Sequence, residues 1–182
     1  MSVIKHKDQR VGVFIDIQNL YHSAKNLYQS RVNFKELLKE AVGSRQLIRA
    51  IAYVVKSEGV VAESSQGEAS FFEALERAGI ELRMKDLQVY SGGFKKADWD
   101  VGLCVDAIRM SEFLDAIVLV TGDGDFVPLV EYLRSHGRQV EVMAFGRSAS
   151  SKLKEVVDLF TDLGEGSRFL IKIALRRISH RH

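Results

Sequence analysis

Carboxylates stand at the ends of two apolar runs in this chain. Arg10-Val-Gly-Val-Phe-Ile-Asp16 ends in Asp16, and the run from Ala116 to Val120 leads through Thr121 and Gly122 to Asp123 and Asp125. Short apolar runs of this kind read as strands buried on both faces, as in a parallel sheet. Open α/β sheets place ligands just beyond the carboxyl ends of their strands. Two carboxylates held close together repel, and burial makes the repulsion worse. A divalent cation relieves it, and hard ions such as Mg²⁺ prefer carboxylate oxygens. Helix capping competes for one of these acids: Asp125 can cap a helix that carries Pro128 in its first turn. A cap accounts for one carboxylate only, which makes Asp123 the more informative residue.

Other polar residues cluster near these ends. Asn19 falls in the first turn of a helix that follows Asp16, where a capping role is common. Asp98 is placed to cap a helix from Trp99 to Met110, and Asp100 sits in its first turn, where the helix dipole favours an anion. Asp106 lies six residues beyond Asp100. At ~100° per residue it is turned ~120° around the helix and displaced ~9 Å along it. One ion is therefore not expected to bind both, and Asp106 is expected to hold a neighbouring group by hydrogen bonds, since a lone buried carboxylate is costly.

The elements that must position these residues alternate along the chain. Strands are expected near 10–16, 46–55, 80–84, 116–120 and 138–145, with an edge strand at 157–159. Helices are expected at 17–28, 33–42 (capped by Asn33 and stopped by Gly43), 68–78, 99–110, 126–135, 150–156 and 164–178. The 99–110 helix is apolar nearly all round and reads as largely buried. Lys56 to Gly67 reads as an exposed loop. This alternation predicts an α/β fold, a three-layer α/β/α sandwich on a mainly parallel sheet.

Composition adds bounds. The chain has 182 residues, 46% hydrophobic and 27% charged, with one proline and a net charge of +2. That is ordinary globular usage for one domain with a substantial core. The lone Cys104 reads as a core thiol and supports neither a disulfide framework nor a zinc site. No 18-residue apolar run and no signal-peptide pattern is present, which predicts a cytoplasmic protein without a membrane partner. Charge is uneven: five Lys/Arg (Arg168, Lys172, Arg176, Arg177, Arg181) face one Glu165 between Gly164 and His182. The expected division is a domain over 1–160 and a carboxy-terminal helix with a basic tail over 161–182; the tail is either a frayed chain end or a source of electrostatic affinity for nucleic acid.

Three stretches together resemble the NYN domain of the PIN-like nuclease superfamily, in particular its LabA-like branch. They are Phe14-Ile-Asp-Ile-Gln-Asn-Leu20, Lys96-Ala-Asp-Trp-Asp-Val101 with Asp106-Ala107, and Val120-Thr-Gly-Asp-Gly-Asp-Phe126 with Pro128-Leu129. The likeness covers roughly residues 10 to 146. Two departures, Ile17 where glycine is common and Thr121 where serine is common, remove no carboxylate. The resemblance implies a PIN-like fold and a metal-dependent ribonuclease acting on single-stranded or structured RNA. Asp16, Asp123 and Asp125 would hold Mg²⁺ or Mn²⁺, with Asp100 as a further ligand, and Asn19 would orient a water or a phosphate oxygen. Lys95, Lys96, Arg147 and Lys152, with Lys154, are candidates for the nucleic-acid backbone, and Asp98 and Asp106 for secondary roles. Tyr21, Trp99 and Phe126 flank the acids; one could stack a base, although core packing is the default for each. A homodimer is compatible with the sequence. The main rival is an RNA- or metal-binding regulatory protein that retains the pocket without turnover. A nucleophilic-aspartate phosphotransferase ranks low, because Asp16 is followed by Ile17 and Gln18. A dinucleotide-binding enzyme ranks lower, because no Gly-x-Gly-x-x-Gly follows the first strand.

Overall fold

The computed structural model describes residues 3–56, 65–86, 88–89, 95–96 and 99–173. In chain order the elements begin β1 (Arg10–Asp16), α1 (Ile17–Tyr28), β2 (Ser30–Val32), α2 (Phe34–Val42), β3 (Gln46–Lys56) and α3 (Ser65–Arg77). They continue with β4 (Glu81–Asp86), β5 (Gln88–Val89), β6 (Lys95–Lys96), α4 (Asp100–Ser111) and β7 (Ala116–Val120). After a short 3₁₀ turn, Gly124–Phe126, come α5 (Val127–Ser135), β8 (Gln139–Ala144), α6 (Ser151–Val156), β9 (Leu159–Asp162) and β10 (Leu170–Lys172).

Six strands form one sheet in the order β4-β3-β1-β7-β8-β9, and every pairing in it is parallel. The pleat sorts side chains to two cores. Val11, Val13 and Ile15 of β1 join Ala50, Ala52 and Val54 of β3 beneath α1, α2 and α3, which contribute Leu20, Leu37 and Leu75. Phe14, Ile51, Tyr53, Ile117 and Leu119 face the other way, against Leu103 of α4, Leu133 of α5 and Leu153 of α6. This is the expected three-layer α/β sandwich. Gly12 makes room for Leu114: a Cβ there would meet Leu114 Cδ1 at 2.4 Å, and that side chain would have to shift.

The fold corrects several local expectations. Residues 170–172 do not continue a helix. They form β10, which pairs antiparallel with β2, while buried Phe169 anchors the segment and its carbonyl accepts from Asn33 N at 2.8 Å. The physical reason is long-range: β2 offers an unpaired edge that a local helical stripe does not register. Arg168, one of the five basic residues, is spent on an ion pair with Glu40 at 3.0 Å. Arg176 to His182 lie outside the described residues. Helix α4 is less buried than its composition predicts. Val101 is 74% exposed and Val105 45%, because only the Leu103–Ala107 side meets the sheet and nothing described covers the other. Cys104 is partly rather than fully buried, and burial pushes its thiol up. Among the described residues no helix is long and apolar enough to cross a membrane.

Candidate active site

The strand order reverses between β1 and β7. Crossovers from β1 lead outward to β3 and β4, and the chain then returns to place β7 on the other side of β1. In a doubly wound sheet this is the switch point, where neighbouring loops part and leave a crevice at the carboxyl edge. Asp16 ends β1, and Asp123 stands three residues past the end of β7. The two acids therefore share one crevice although 107 residues separate them in sequence (123 − 16).

Thr121 joins them. Its hydroxyl donates to Asp16 Oδ2 at 3.1 Å and accepts from Asp123 N at 3.2 Å. The side chain is fully buried. Asn19 completes the frame: its own N–H donates to Asp16 Oδ1 at 3.1 Å, and its Oδ1 accepts from Gly122 N at 2.9 Å. Asp16 thus caps α1 while Asn19 ties that helix to the loop after β7. Gly122 leaves space for the loop after β8, since a Cβ there would lie 3.0 Å from the Ala149 backbone. The loop after β8 closes the rim through Ser150 N to Gly122 O at 2.9 Å and a Ser23–Ser148 hydroxyl contact at 2.9 Å.

Burial pushes the Asp16 carboxyl above the ordinary carboxylate range. The charge of Asp123 adds in the same direction, and hydrogen bonds from Asn19 and Thr121 oppose it only in part. An acid held in this way is easier to ionise next to a cation. The sign for stability follows from linkage. The folded form holds the Asp16 proton more tightly than the unfolded chain, so metal-free stability is present at low pH. It falls as pH rises from about 4 through the raised folded value. We expect Asp16→Asn, which can still cap α1, to remove this loss and match or exceed the wild type at pH 7 in chelator. Each 1 kcal/mol recovered is worth about 2–4 °C in a domain of this size. Thermal unfolding from pH 4 to 8 checks it; a variant less stable than wild type at pH 7 would refute the reading.

The other sequence candidates take distinct places. Asp123, not Asp125, caps the turn into α5: its Oδ1 accepts from Asp125 N at 2.9 Å. The 3₁₀ turn moves the start of α5 forward, so the cap shifts with it and Asp125 is left exposed at the rim. Pro128 sits in the first turn of α5, as predicted. Asp100 opens α4 beside the carboxyl end of β3, one strand away from β1, where Trp99 Nε1 donates to Val54 O at 2.9 Å. Asp98 lies outside the described residues, and the position before α4 is Trp99, which makes no side-chain cap. Asp106 holds a neighbour, as its spacing implied: it accepts from Tyr53 Oη at 2.9 Å. Burial, with that bond, pushes the Tyr53 phenol up. Lys95 and Lys96 form β6, paired with β5. Arg147 is exposed on the loop that touches Gly122, and Lys152 is exposed at the start of α6. Lys154 donates to Gly146 O, which makes it a brace for that loop. Trp99 and Phe126 pack in the core, and Tyr21 lies edge-on to His22.

Thr121 was the residue that motif reading undervalued. A hydroxyl ending an apolar strand immediately before an acid is the signal that could have found it. Among the described residues no three acidic, histidine or cysteine side chains form a ready coordination shell. The acidic pair nevertheless suits Mg²⁺ or Mn²⁺. Its donors are hard oxygens, those of Asp16 oriented by Thr121 and Asn19 and one of Asp123 by Asp125 N, and Mg²⁺ commonly binds through one or two carboxylates while keeping several waters.

Comparison with known proteins supports the fold and the family. The NYN domain model matches residues 10–164. The low amplitude and bright protein LabA of Synechococcus elongatus is 30% identical over 113 residues, which is 59% of this chain and 61% of that protein. The chain thus spans less than two thirds of that relative's length. A crystal structure of a Vibrio parahaemolyticus protein of unknown function superimposes with a TM-score of 0.80 at 27% identity, covering 93% of this chain and all of the other.

Proposed function

Since the chain belongs to the NYN domain family, within the PIN-like nuclease superfamily, we propose that it is a Mg²⁺- or Mn²⁺-dependent ribonuclease acting in the cytoplasm. The observation that carries this reading is the pairing of Asp16 and Asp123 at the switch point, joined through Thr121. Asp16 and Asp123 would hold the ion, with Asp125 and Asp100 reaching it directly or through water. When bound, the ion would acidify a water and offset charge on the phosphate. The chain's own residues do the positioning. Thr121 and Asn19 fix the Asp16 carboxylate, and Asn19 keeps the loop after β7 against α1. Its side-chain amide N–H groups are the donors available to a water or a phosphate oxygen. Arg147 and Lys152 supply positive charge for the phosphodiester backbone near an otherwise acidic crevice, and Lys95 and Lys96 are further candidates from the sequence.

Purified protein incubated with single-stranded RNA or DNA and Mg²⁺, Mn²⁺ or chelator tests the proposal. We expect RNA hydrolysis that requires metal and stops in chelator. RNA binding without hydrolysis under any metal would favour the rival, a regulatory protein that keeps the pocket. Neither binding nor hydrolysis would remove the proposal.

A further inference from the structure

A second charged groove lies on the same face of the sheet as α4, away from the acidic crevice. Arg49 shares a face of β3 with Ile51 and Tyr53, and on the outermost strand β4 the residues Glu81, Arg83 and Lys85 face the same way. The register puts Arg83 opposite Tyr53. Helix α4 reaches β3 through the Asp106–Tyr53 bond. Between α4 and the outer strand remains a cavity of about 400 Å³ lined by Arg49, Arg83, Arg109 and Phe113 together with the acids Asp106 and Glu112.

Three arginines from three elements thus converge on one open space. Arg49 is held by Glu81 across the strands. Arg83 reaches Asp106 only at 3.9 Å, at the same oxygen that accepts from Tyr53. Arg109 makes no ion pair or hydrogen bond with any described residue. Phe113 is 62% exposed at the mouth. An aromatic face beside an unengaged guanidinium suits one nucleotide unit: the ring stacks a base and the cations take its phosphate. Toward the acidic edge, the Lys85 ammonium lies over the Trp99 ring at 5.8 Å. That extends the basic strip along β4 to the start of α4. Arg109 is nine residues beyond Asp100, or ~13–14 Å along the helix.

We propose that this groove is a second binding site for single-stranded RNA, which holds the strand at a fixed distance from the acidic crevice by stacking on Phe113 and phosphate contact with Arg109 and Arg83. The inference rests on the ribonuclease reading above and goes beyond it in naming where the rest of the substrate lies.

Its test is fluorescence anisotropy of a labelled 12-nucleotide RNA with the full chain carrying Asp123→Asn, so that the probe stays intact, over a salt series in Mg²⁺. Both groove side chains to be altered are exposed, so Arg109→Ala and Phe113→Ala leave the core untouched. The pair of substitutions should weaken binding about tenfold, and Arg109→Ala alone should lower the log–log salt slope by about 0.7. Lys39→Ala, an exposed charge on α2 in the opposite layer, should change neither. RNA bound with equal affinity and slope by the parent and the groove variants would overturn the groove and leave the ribonuclease proposal standing. An equal loss from Lys39→Ala would also overturn it, since the effect would then be general electrostatics. Hydrolysis and binding both absent from the wild type would remove the two proposals together.

Discussion

Asp123→Asn will cut metal-dependent RNA turnover by at least about 100-fold while leaving the fold intact. The size follows from what the side chain is asked to do. A carboxylate that holds a cation at the reacting phosphate acts on charge that develops in the transition state, and removing one group of that kind typically costs 10²–10³ in rate. The fold should survive because asparagine keeps the oxygen that accepts from Asp125 N, the contact that starts the turn into α5. It also removes a charge that adds to the effect of burial in raising the Asp16 pKa, so in chelator the variant should unfold no earlier than wild type. The two proteins separate when metal is added. A ligand that binds only the folded state stabilises by ~2.7 kcal/mol at one hundred times its dissociation constant. Wild type should gain a higher midpoint in millimolar Mg²⁺ or Mn²⁺ at fixed ionic strength, and the variant much less. Single-turnover hydrolysis alongside thermal unfolding reads both effects. A variant that turns RNA over at the wild-type rate would take Asp123 out of the chemistry.

The largest effect on stability is expected at the opposite edge of the sheet. Arg45 precedes β3 and is 5% exposed; Glu141 on β8 is 2% exposed. The guanidinium donates to both Glu141 oxygens, at 2.5 and 3.2 Å, and to the carbonyls of Ala41 and Val42 at the end of α2. Arg45→Met strands a buried carboxylate and unpairs the Ala41 carbonyl, which has no partner within its helix, while Val42 O keeps the backbone N–H of residue 45 at 3.2 Å. Removing one member of a buried ion pair costs about 3–5 kcal/mol. The lower half of that range is expected, because Lys5 at 3.3 Å and Gln139 at 2.7 Å still face Glu141. Replacing both partners by methionine should recover part of the loss, since no lone charge is then left buried. Urea unfolding of the two single variants and the double variant measures the coupling. A loss below 1 kcal/mol for Arg45→Met would show that this pair does not hold the edge. Turnover per folded molecule should be unaffected in either case, because the acids sit at the far end of the strands.

How much of this was legible in the sequence depends on the range of the interaction. Strand β1 and strand β7 announce themselves as apolar runs. The helices beginning at Ile17, Phe34 and Ser151 carry their caps, Asp16, Asn33 and Ser150, next to them in the chain. Alternation of strands and helices implies parallel pairing, and parallel pairing puts Asp16 and Asp123 at the same edge of the sheet. Side-chain periodicity and capping act within a turn or two of the backbone, so a short window of sequence contains them. Which strands become neighbours is decided elsewhere. The order β4-β3-β1-β7-β8-β9 comes from where each crossover packs, and only that order makes Asp16 and Asp123 adjacent across Thr121. The same holds for residues 170–172, whose apolar stripe suits a helix until the free edge of β2 offers backbone partners. It holds for α4, whose outer apolar side chains stay in solvent because no described layer covers them. Arg45 and Glu141, 96 residues apart, meet only because α2 ends and β8 begins at one edge of one sheet. The local sequence therefore determined which acids stand at strand ends, and the tertiary structure decided which two of them share a crevice.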